Sequence, residues 1–437
     1  MVSRKDILLA GVLAGISLLL AGCGDDLEAV VPLTGSVVVE GEYPGEPGLQ
    51  PTEENAGDIR KDDTDETQEH TGESRKDDTK ENSGENRKDD TEENAGEGRK
   101  GDAKENAGED RKEGAEKAEQ VSITISAAGD CSLGNYYQQE YYASFDQTYE
   151  KTKDMTYFFQ NVKDIFETDD MTIVNLEGVL TTSEEPEEGR TFNIKGDPSY
   201  VEILTAGNVE AVSMANNHRL DYGEAGTEDT VKVLEEAGIV YAYDKIVGMY
   251  EVKGINIGIV SVNEVAWGDK CGALIESGIG LLKEQEADLI IACCHWGVEK
   301  EHYTEEYQNE LGRICIDAGA DLVLGHHPHV LQGIEEYQGK YIVYSLANFC
   351  FGANRNPSDK DTMIFQQTFT FVDGVLQQDR QARVIPCSVS SVKERNNYQP
   401  TPLSGENAER VITRLNTYSE AYGVVVGTDG RVGFEGH

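Results

Sequence analysis

The sequence predicts an α/β fold for the part of the chain that begins at Val121, on two observations. Apolar, strand-like runs alternate there with helical patterns, which is typical of sheets covered by helices. In addition, polar clusters follow the ends of five of the strands. We expect this domain to span residues 121–390, with a C-terminal helical extension or tail over residues 391–437.

The elements are assigned from hydrophobic periodicity and turn residues. Strands are predicted over Val121–Ala128, Met171–Leu176, Val209–Met214, Asp288–Cys293, Ala320–Leu324, Tyr341–Phe351 and Met363–Val384, and a hairpin over Tyr250–Val262. Helices are predicted over residues 154–167, Tyr200–Ala206, Glu228–Ala237, Glu305–Asp317 and Asn407–Tyr418.

The polar residues at the strand ends share a chemistry. They are Asp130, Glu177, Asn217 with His218, His295, and His327 with His329. Because the carboxyl ends of strands in such a sheet lie along one edge, these side chains are expected to converge. Carboxylate, amide and imidazole ligands together suit Zn, Mn or Fe. The sequence therefore predicts one or two divalent transition-metal ions, with Glu177 as the bridging ligand where two bind.

Residues 325–329, Gly-His-His-Pro-His, carry the strongest local signal. In extended backbone, His327 and His329 would point to the same face. Pro328 biases His327 toward that extended geometry. A metal-binding or catalytic role is favoured over loop histidines that cap helices or face solvent.

Ordinary structural roles also fit each of these residues alone. Asp130 could cap a turn, Glu177 could lie on the surface, and Asn217 could supply a turn conformation. His295 could form a hydrogen bond in the core. Their joint occurrence at corresponding strand ends favours a site.

The composition argues against nucleic acid as a partner, because the formal net charge is −44 and phosphate contacts need Lys and Arg. Residues 1–23 read as a lipoprotein signal peptide, with a basic start, a short apolar run and Leu-Ala-Gly-Cys at its end. This pattern predicts a lipidated Cys23 that anchors the protein to the extracellular face of the cell membrane. An uncleaved signal anchor is the alternative.

Residues 24–120 are expected to form a disordered linker. From residue 51 to residue 120 the segment repeats acidic and basic residues, and Ile59 is its only large aliphatic residue. Such a composition cannot bury enough apolar surface to offset the entropy of ordering the chain. The linker would lift the domain away from the membrane.

Six motifs resemble those of the CapA family of capsule and poly-γ-glutamate synthesis proteins, within the calcineurin-like metallophosphatase superfamily. They are Gly129-Asp130, Asn175-Leu-Glu177, Ala215-Asn-Asn-His218 with Asp221-Tyr-Gly223, His295-Trp-Gly297 with Glu299, Gly325-His-His-Pro-His329 and Tyr344-Ser-Leu-Ala-Asn-Phe349. The resemblance implies a four-layer α/β/β/α sandwich with a dinuclear metal site between two sheets.

The same resemblance implies a role for each site residue. One ion would be held by Asp130, Glu177 and His329, and the other by Glu177, Asn217, His295 and His327. His218 resembles a general acid, and Asp221 and Glu299 would orient imidazoles. The chain departs from the superfamily at Ser132, where D-x-H usually supplies a histidine, and at Glu177, where the usual bridge is an aspartate.

Three functions are compatible with these residues. The first is a membrane-anchored component of capsule or poly-γ-glutamate biosynthesis, with other capsule-synthesis proteins and an anionic polymer as partners. The second is a metal-dependent hydrolase of a phosphoester or γ-glutamyl amide. The third is a non-catalytic polymer-binding module. Fold alone does not choose among them.

Overall fold

The structure, a computed structural model, describes residues 34–38 and 118–434. The predicted signal peptide, the lipidation site Cys23 and all of the predicted linker except residues 34–38 and 118–120 lie outside the described residues. Within the described ranges, no helix is both long enough and apolar enough to cross a membrane.

The strands, in chain order, are β1 (Gly35–Val38), β2 (Gln120–Ser132), β3 (Asn135–Tyr136), β4 (Met171–Leu176), β5 (Val179–Leu180), β6 (Ile194–Gly196), β7 (Ala211–Ser213), β8 (Val240–Ala242), β9 (Ile246–Val252), β10 (Ile255–Asn263), β11 (Leu289–His295), β12 (Leu322–His326), β13 (Ile334–Tyr337), β14 (Lys340–Val343), β15 (Asn348–Phe351), β16 (Asp361–Val372), β17 (Val375–Leu376), β18 (Gln381–Ser388), β19 (Thr401–Pro402), β20 (Val424–Val426) and β21 (Val432–Phe434). The α-helices are α1 (Phe145–Thr152), α2 (Lys163–Phe166), α3 (Val201–Ala206), α4 (Gly223–Ala237), α5 (Glu264–Trp267), α6 (Cys271–Glu284), α7 (Glu306–Ala318) and α8 (Glu406–Ser419).

Two large mixed sheets confirm the predicted α/β class. The first has the order β1-β9-β10-β11-β12-β14-β13, and β10, β11, β12 and β14 run parallel within it. The second has the order β19-β18-β16-β2-β4-β7-β8, and β2, β4, β7 and β8 run parallel. Strand β15 adds to the second sheet beside β2.

Three buried clusters hold the elements together. One joins the two sheets face to face and includes Ile125, Ile173, Ile291 and Leu324. A second packs the other face of the second sheet against α3, α4 and the segment 158–166, and a third packs the first sheet against α6 and α7. Burial of apolar surface at about 25 cal/mol per Å² is the main stabilising contribution.

The predicted helix over residues 154–167 is wrong as a continuous element. A 3₁₀ turn over Met155–Tyr157 and the short α2 flank a non-helical stretch. Phe158 stacks on Phe145 with ring centroids 4.3 Å apart, whereas Phe159 packs toward Phe349 at 6.1 Å. The apolar spacing therefore reflects separate tertiary contacts and not one helical face.

The helix α6 was not predicted, because its sequence CGALIESGIGLLKE contains three glycines that weaken the helical signal. One of these glycines, Gly278, is explained by packing. A Cβ at this position would lie 2.6 Å from Cγ2 of Val260 on β10. The absence of a side chain lets the helix pack closely on the sheet.

The C-terminal helix α8 is present as predicted and packs on the edge of the core between the sheets through Val411 and Leu415. Two arginines on α8 fix it in place. Arg410 donates to Oδ1 of Asp361 at 2.7 Å, and Arg414 donates to Oδ2 at 2.6 Å. Burial opposes the charge of Asp361, but these two donors hold the pKa of its carboxyl below the ordinary value.

Replacing Asp361 with asparagine is expected to lower the free energy of unfolding by about 1–2 kcal/mol at pH 7, because the hydrogen bonds from Arg410 and Arg414 lose their charged acceptor. A carboxyl whose folded pKa is depressed stabilises the protein above its unfolded pKa of about 3.9 and loses that contribution as the pH falls through the folded pKa. The difference in the free energy of unfolding between the wild type and Asp361→Asn, measured by urea denaturation, should therefore shrink below about pH 4. The exposed Glu276→Gln is the control and should change stability by less than about 0.5 kcal/mol; a pH-independent difference for Asp361→Asn would contradict this account.

Candidate metal centre

The polar strand ends meet where the two sheets face each other. Asp130 on β2 and Asn175 on β4 come from the second sheet, and His295 on β11 and His326 on β12 come from the first. The side chains were expected along one edge of a single sheet. They come instead from the edges of two facing sheets, and this arrangement also brings them together.

A β-bulge in β2 directs Asp130 toward the first sheet. Ile125 and Ala127 face the core between the sheets, and strict alternation would place Asp130 on the opposite face. The register shifts between Ala127 and Asp130, which reverses the alternation. The backbone is held there by a hydrogen bond from Asp130 N to Ala347 O at 2.9 Å.

Regular alternation aims two histidines of the first sheet at the same place. On β11, Ile291 and Cys293 face the core between the sheets, so His295 shares their face. On β12, Leu324 faces that core, and His326 lies two residues later. His295 and His326 are direct partners in the register of the two parallel strands.

Asp130, Glu177 and His295 form a buried cluster that could hold a metal ion, since one donor atom from each lies within 4.8 Å of the others. Asn175 holds the two carboxylates by donating from Nδ2 to Oδ1 of Asp130 at 2.9 Å and to Oε2 of Glu177 at 3.2 Å. Asn216 in turn donates to Oδ1 of Asn175 at 3.2 Å. This network fixes two acidic groups that would otherwise repel each other.

His329 lies against both carboxylates. Its Nδ1 is 3.0 Å from Oδ2 of Asp130, and its Nε2 is 3.5 Å from Oε1 of Glu177. The ring of His327 lies near that of His295, with the two centroids 4.7 Å apart. Oδ1 of Asn217 is 2.9 Å from Nε2 of His295. The predicted metal ligands are therefore gathered in one place.

The expected backbone geometry of the two loop histidines is wrong. His327 has a φ of +95° and His329 a φ of +57°, so neither is extended. Both lie in a region that side chains rarely adopt, which the surrounding structure must enforce. The strained turn replaces the simple alternation of a strand and still places both imidazoles in the cluster.

His218 is oriented by Asp221. Nδ1 of His218 is 2.7 Å from Oδ2 of Asp221, and Asp221 also accepts from Ile194 N at 2.6 Å and from Arg190 at 3.1 Å. An ionised carboxylate only accepts, so this contact assigns the proton of His218 to Nδ1. Nε2 of His218 then lies toward the cluster, 3.9 Å from Oε1 of Glu177.

A cleft opens from the cluster to solvent. His218, His329 and Glu299 lie in its wall together with a set of aromatic and amide residues, Tyr136, Gln139, Phe192, Phe351 and Asn354. Glu299 is exposed, and its negative charge acts to raise the pKa of His327 and of His329. Lys300 is exposed and also lines the cleft.

Burial and neighbouring charges shift the pKa values of the cluster in different directions. Burial raises the pKa of Glu177 to about 8 and lowers that of His327 to about 4. Burial opposes charge on His329 as well, but Glu177 and Asp130 raise its pKa to about 10. A metal ion would have to displace the proton of His329 in order to bind there.

Unpartnered buried atoms test whether the residues fit a metal. Oε1 of Glu177, Nδ1 of His326 and Nδ1 of His327 are buried and form no hydrogen bond. Native proteins rarely leave such groups without a partner, and each of these three can ligate a metal. The donor set therefore fits a divalent ion.

Asn175 and His326 were missed as site residues by the sequence reasoning. Both lie on the inward face of their strands, two residues beyond Ile173 and Leu324 respectively. The same period of two therefore extends the core face into the site, and it is the sequence signal that would have found them.

The family model for the bacterial capsule synthesis protein PGA_cap matches residues 124–353. That match spans β2 to the end of β15 and contains every residue of the cluster. The chain belongs to this family. The metallophosphatase superfamily suggested by the motifs is consistent with the match.

Curated relatives support the assignment to the PGA_cap family. The chain is 30% identical over 251 residues to the PGA biosynthesis protein CapA of Bacillus subtilis (strain 168), covering 52% of this chain and 63% of that one. It is 26% identical over 260 residues to the capsule biosynthesis protein CapA of Bacillus anthracis, covering 53% and 61%. The chain thus spans less than two thirds of the length of these relatives.

Proposed function

We propose that this PGA_cap protein acts in the biosynthesis of a poly-γ-glutamate capsule. The observation that carries the proposal is the family match over residues 124–353, together with two relatives named for PGA and capsule biosynthesis. A divalent transition metal, Mn, Zn or Fe, is its proposed cofactor, supported by the buried Asp130, Glu177 and His295.

The proposed setting is the extracellular face of the cell membrane. The sequence of residues 1–23 supports a lipid anchor at Cys23, and the composition of residues 24–120 supports a disordered spacer. Other capsule-synthesis proteins and the anionic polymer are the proposed partners. The four-layer sandwich is part of the proposal, and the three buried clusters support it.

An acidic chain must offset repulsion to handle polyglutamate. Lys300 in the cleft wall and the bound cations would supply that attraction. When bound, a divalent ion would polarise a phosphoryl or carbonyl oxygen of the substrate. Asp130, Glu177, Asn217, His295, His327 and His329 are the proposed ligands.

The proposal is tested in a polyglutamate-producing host from which its own protein of this family has been deleted. The full chain should restore extracellular polymer, measured after acid hydrolysis as released glutamate. The protein itself should be found in the membrane fraction of the host. A Cys23→Ala chain should leave the membrane fraction. Unchanged polymer levels with the full chain present would refute the role in capsule biosynthesis.

A hydrolase is the second candidate, and the pairing of His218 with Asp221 favours it. Asp221 fixes the proton on Nδ1 of His218 and leaves Nε2 directed toward the cleft. In that position, a protonated Nε2 would donate to the oxygen or nitrogen of a leaving group. Asp221 would stabilise the resulting positive charge before transfer.

Replacing His218 with alanine is expected to lower kcat on a model phosphodiester by about 10²–10⁴-fold, the usual range for general acid catalysis. Metal content should stay unchanged, because His218 is not a proposed ligand. The control His302→Ala, which changes a histidine outside the cluster, should keep full turnover. Full turnover in His218→Ala would refute the general-acid role, and binding of polymer without any turnover in the wild type would favour the non-catalytic module.

A further inference from the structure

His326 is buried at the centre of the site without a structural partner for its Nδ1. Its side chain is 2% exposed, and Nδ1 lies 3.3 Å from Oδ1 of Asp130. Although Nδ1 of His326 and Oδ1 of Asp130 are close, Nδ1 forms no hydrogen bond. A buried imidazole nitrogen beside a carboxylate oxygen, yet not bonded to it, indicates a third group that both would share.

The distance fits two donors on one ion. Ligand bonds of 2.0–2.2 Å place neighbouring donor atoms on one ion at about 3.0 Å in octahedral and about 3.4 Å in tetrahedral geometry. The 3.3 Å between Nδ1 of His326 and Oδ1 of Asp130 lies in that range, and so does the 3.0 Å between Nδ1 of His329 and Oδ2 of Asp130. Asp130 could therefore share one ion with both histidines if both of its carboxylate oxygens were ligands.

Ser132 leaves the same side of the site short of a ligand. The side chain is buried, its Oγ forms no hydrogen bond, and its position follows Asp130 by two residues. No imidazole reaches the ion from β2 itself. His326 comes instead from the facing sheet, where it continues the inward face of Leu324.

We propose that His326 is a metal ligand that replaces the imidazole missing at position 132. The donor set of the first ion is then Asp130, Glu177, His329 and His326, with Nδ1 as the donor atom of His326. This inference rests on the metal site of the proposed function.

The test compares metal affinity in the wild type, His326→Ala and the control His302→Ala, using metal-free protein titrated with Mn²⁺ or Zn²⁺ by calorimetry. We expect His326→Ala to bind one ion at least about 10-fold more weakly, the lower end of what loss of a supporting group costs. His302→Ala should match the wild type. Equal affinity in His326→Ala and the wild type would overturn the inference alone, whereas a wild type that binds no ion would overturn the proposed metal site as well.

Anomalous diffraction from wild-type crystals soaked in Mn²⁺ provides a measurement that does not depend on a variant folding. An ion within about 2.3 Å of Nδ1 of His326 supports the inference. An ion bound to Asp130 with His326 outside its coordination sphere overturns it.

Discussion

Replacing Glu177 with glutamine is expected to lower the affinity for divalent ions by at least about 100-fold, because the shared carboxylate loses its charge while its shape is kept. Glu177 is fully buried, and its Oε1 has no hydrogen-bond partner. Its other oxygen accepts from Asn175, and an amide oxygen can still accept there. The substitution therefore removes the ligand with little change in packing.

The stability difference between the Glu177→Gln variant and the wild type should depend on metal. Without metal, burial raises the pKa of Glu177 to about 8, so the wild type loses stability as the pH rises from its unfolded pKa of about 4.3 to that value. In EDTA at pH 8, the glutamine variant should be the more stable protein. With metal at 100 times Kd, the wild type gains about 2.7 kcal/mol, and the variant gains little.

Thermal unfolding in EDTA and in Mn²⁺ measures both effects. Glu210→Gln is the matched control, since Glu210 lies outside the site and its Oε2 accepts from Thr172 N, a bond that glutamine can keep. This control should show the same gain from metal as the wild type. A Glu177→Gln variant with the full wild-type gain would contradict the role of Glu177 as the shared ligand.

The sequence was sufficient to predict that Glu177 and His295 lie close together, because both follow from strand ends in an α/β fold. Glu177 and His295 come at or just after the ends of apolar strands, and α/β topology brings such ends together. The α/β class and the strand over Met171–Leu176 were predicted for the same reason. A near-continuous apolar run is informative where a strand is regular and buried on both faces, as β4 is.

Other features depended on contacts that local sequence does not encode. The bulge before Asp130 arises from the approach of Ala347 to Gly129, more than 200 residues away in the chain. The positive φ of His327 runs against the bias that Pro328 imposes, so tertiary packing must override it. His326 continues the inward face of Leu324, but Gly325 interrupts the apolar run that would mark this alternation in the sequence.

Gly129 is expected to be highly sensitive to substitution although it is not a proposed ligand. A Cβ at this position would lie 1.8 Å from the carbonyl oxygen of Ala347 and 2.9 Å from that of Leu346. Both atoms belong to the backbone, so neither can rotate away as the end of a side chain could. Gly129→Ala must therefore push β2 away from the segment that precedes β15.

The cost should appear in both stability and metal binding. Overpacking of this kind costs about 1–3 kcal/mol or more, and urea denaturation should show a loss at the upper end of that range. The hydrogen bond from Asp130 N to Ala347 O would also be strained. Asp130 would then move from Asn175 and His329, so affinity for the first ion should fall even in EDTA-treated protein reloaded with metal.

Gly280→Ala is the matched control, because Gly280 lies inside α6 and a Cβ there would meet no atom within 4 Å. This substitution should stabilise the protein by about 0.5–1 kcal/mol, as alanine is the better helix former. The same replacement of glycine by alanine is thus expected to destabilise the protein at position 129 and to stabilise it at position 280. If Gly129→Ala shared the urea midpoint and metal affinity of the wild type, the close approach of Ala347 would not be what directs Asp130 into the metal centre.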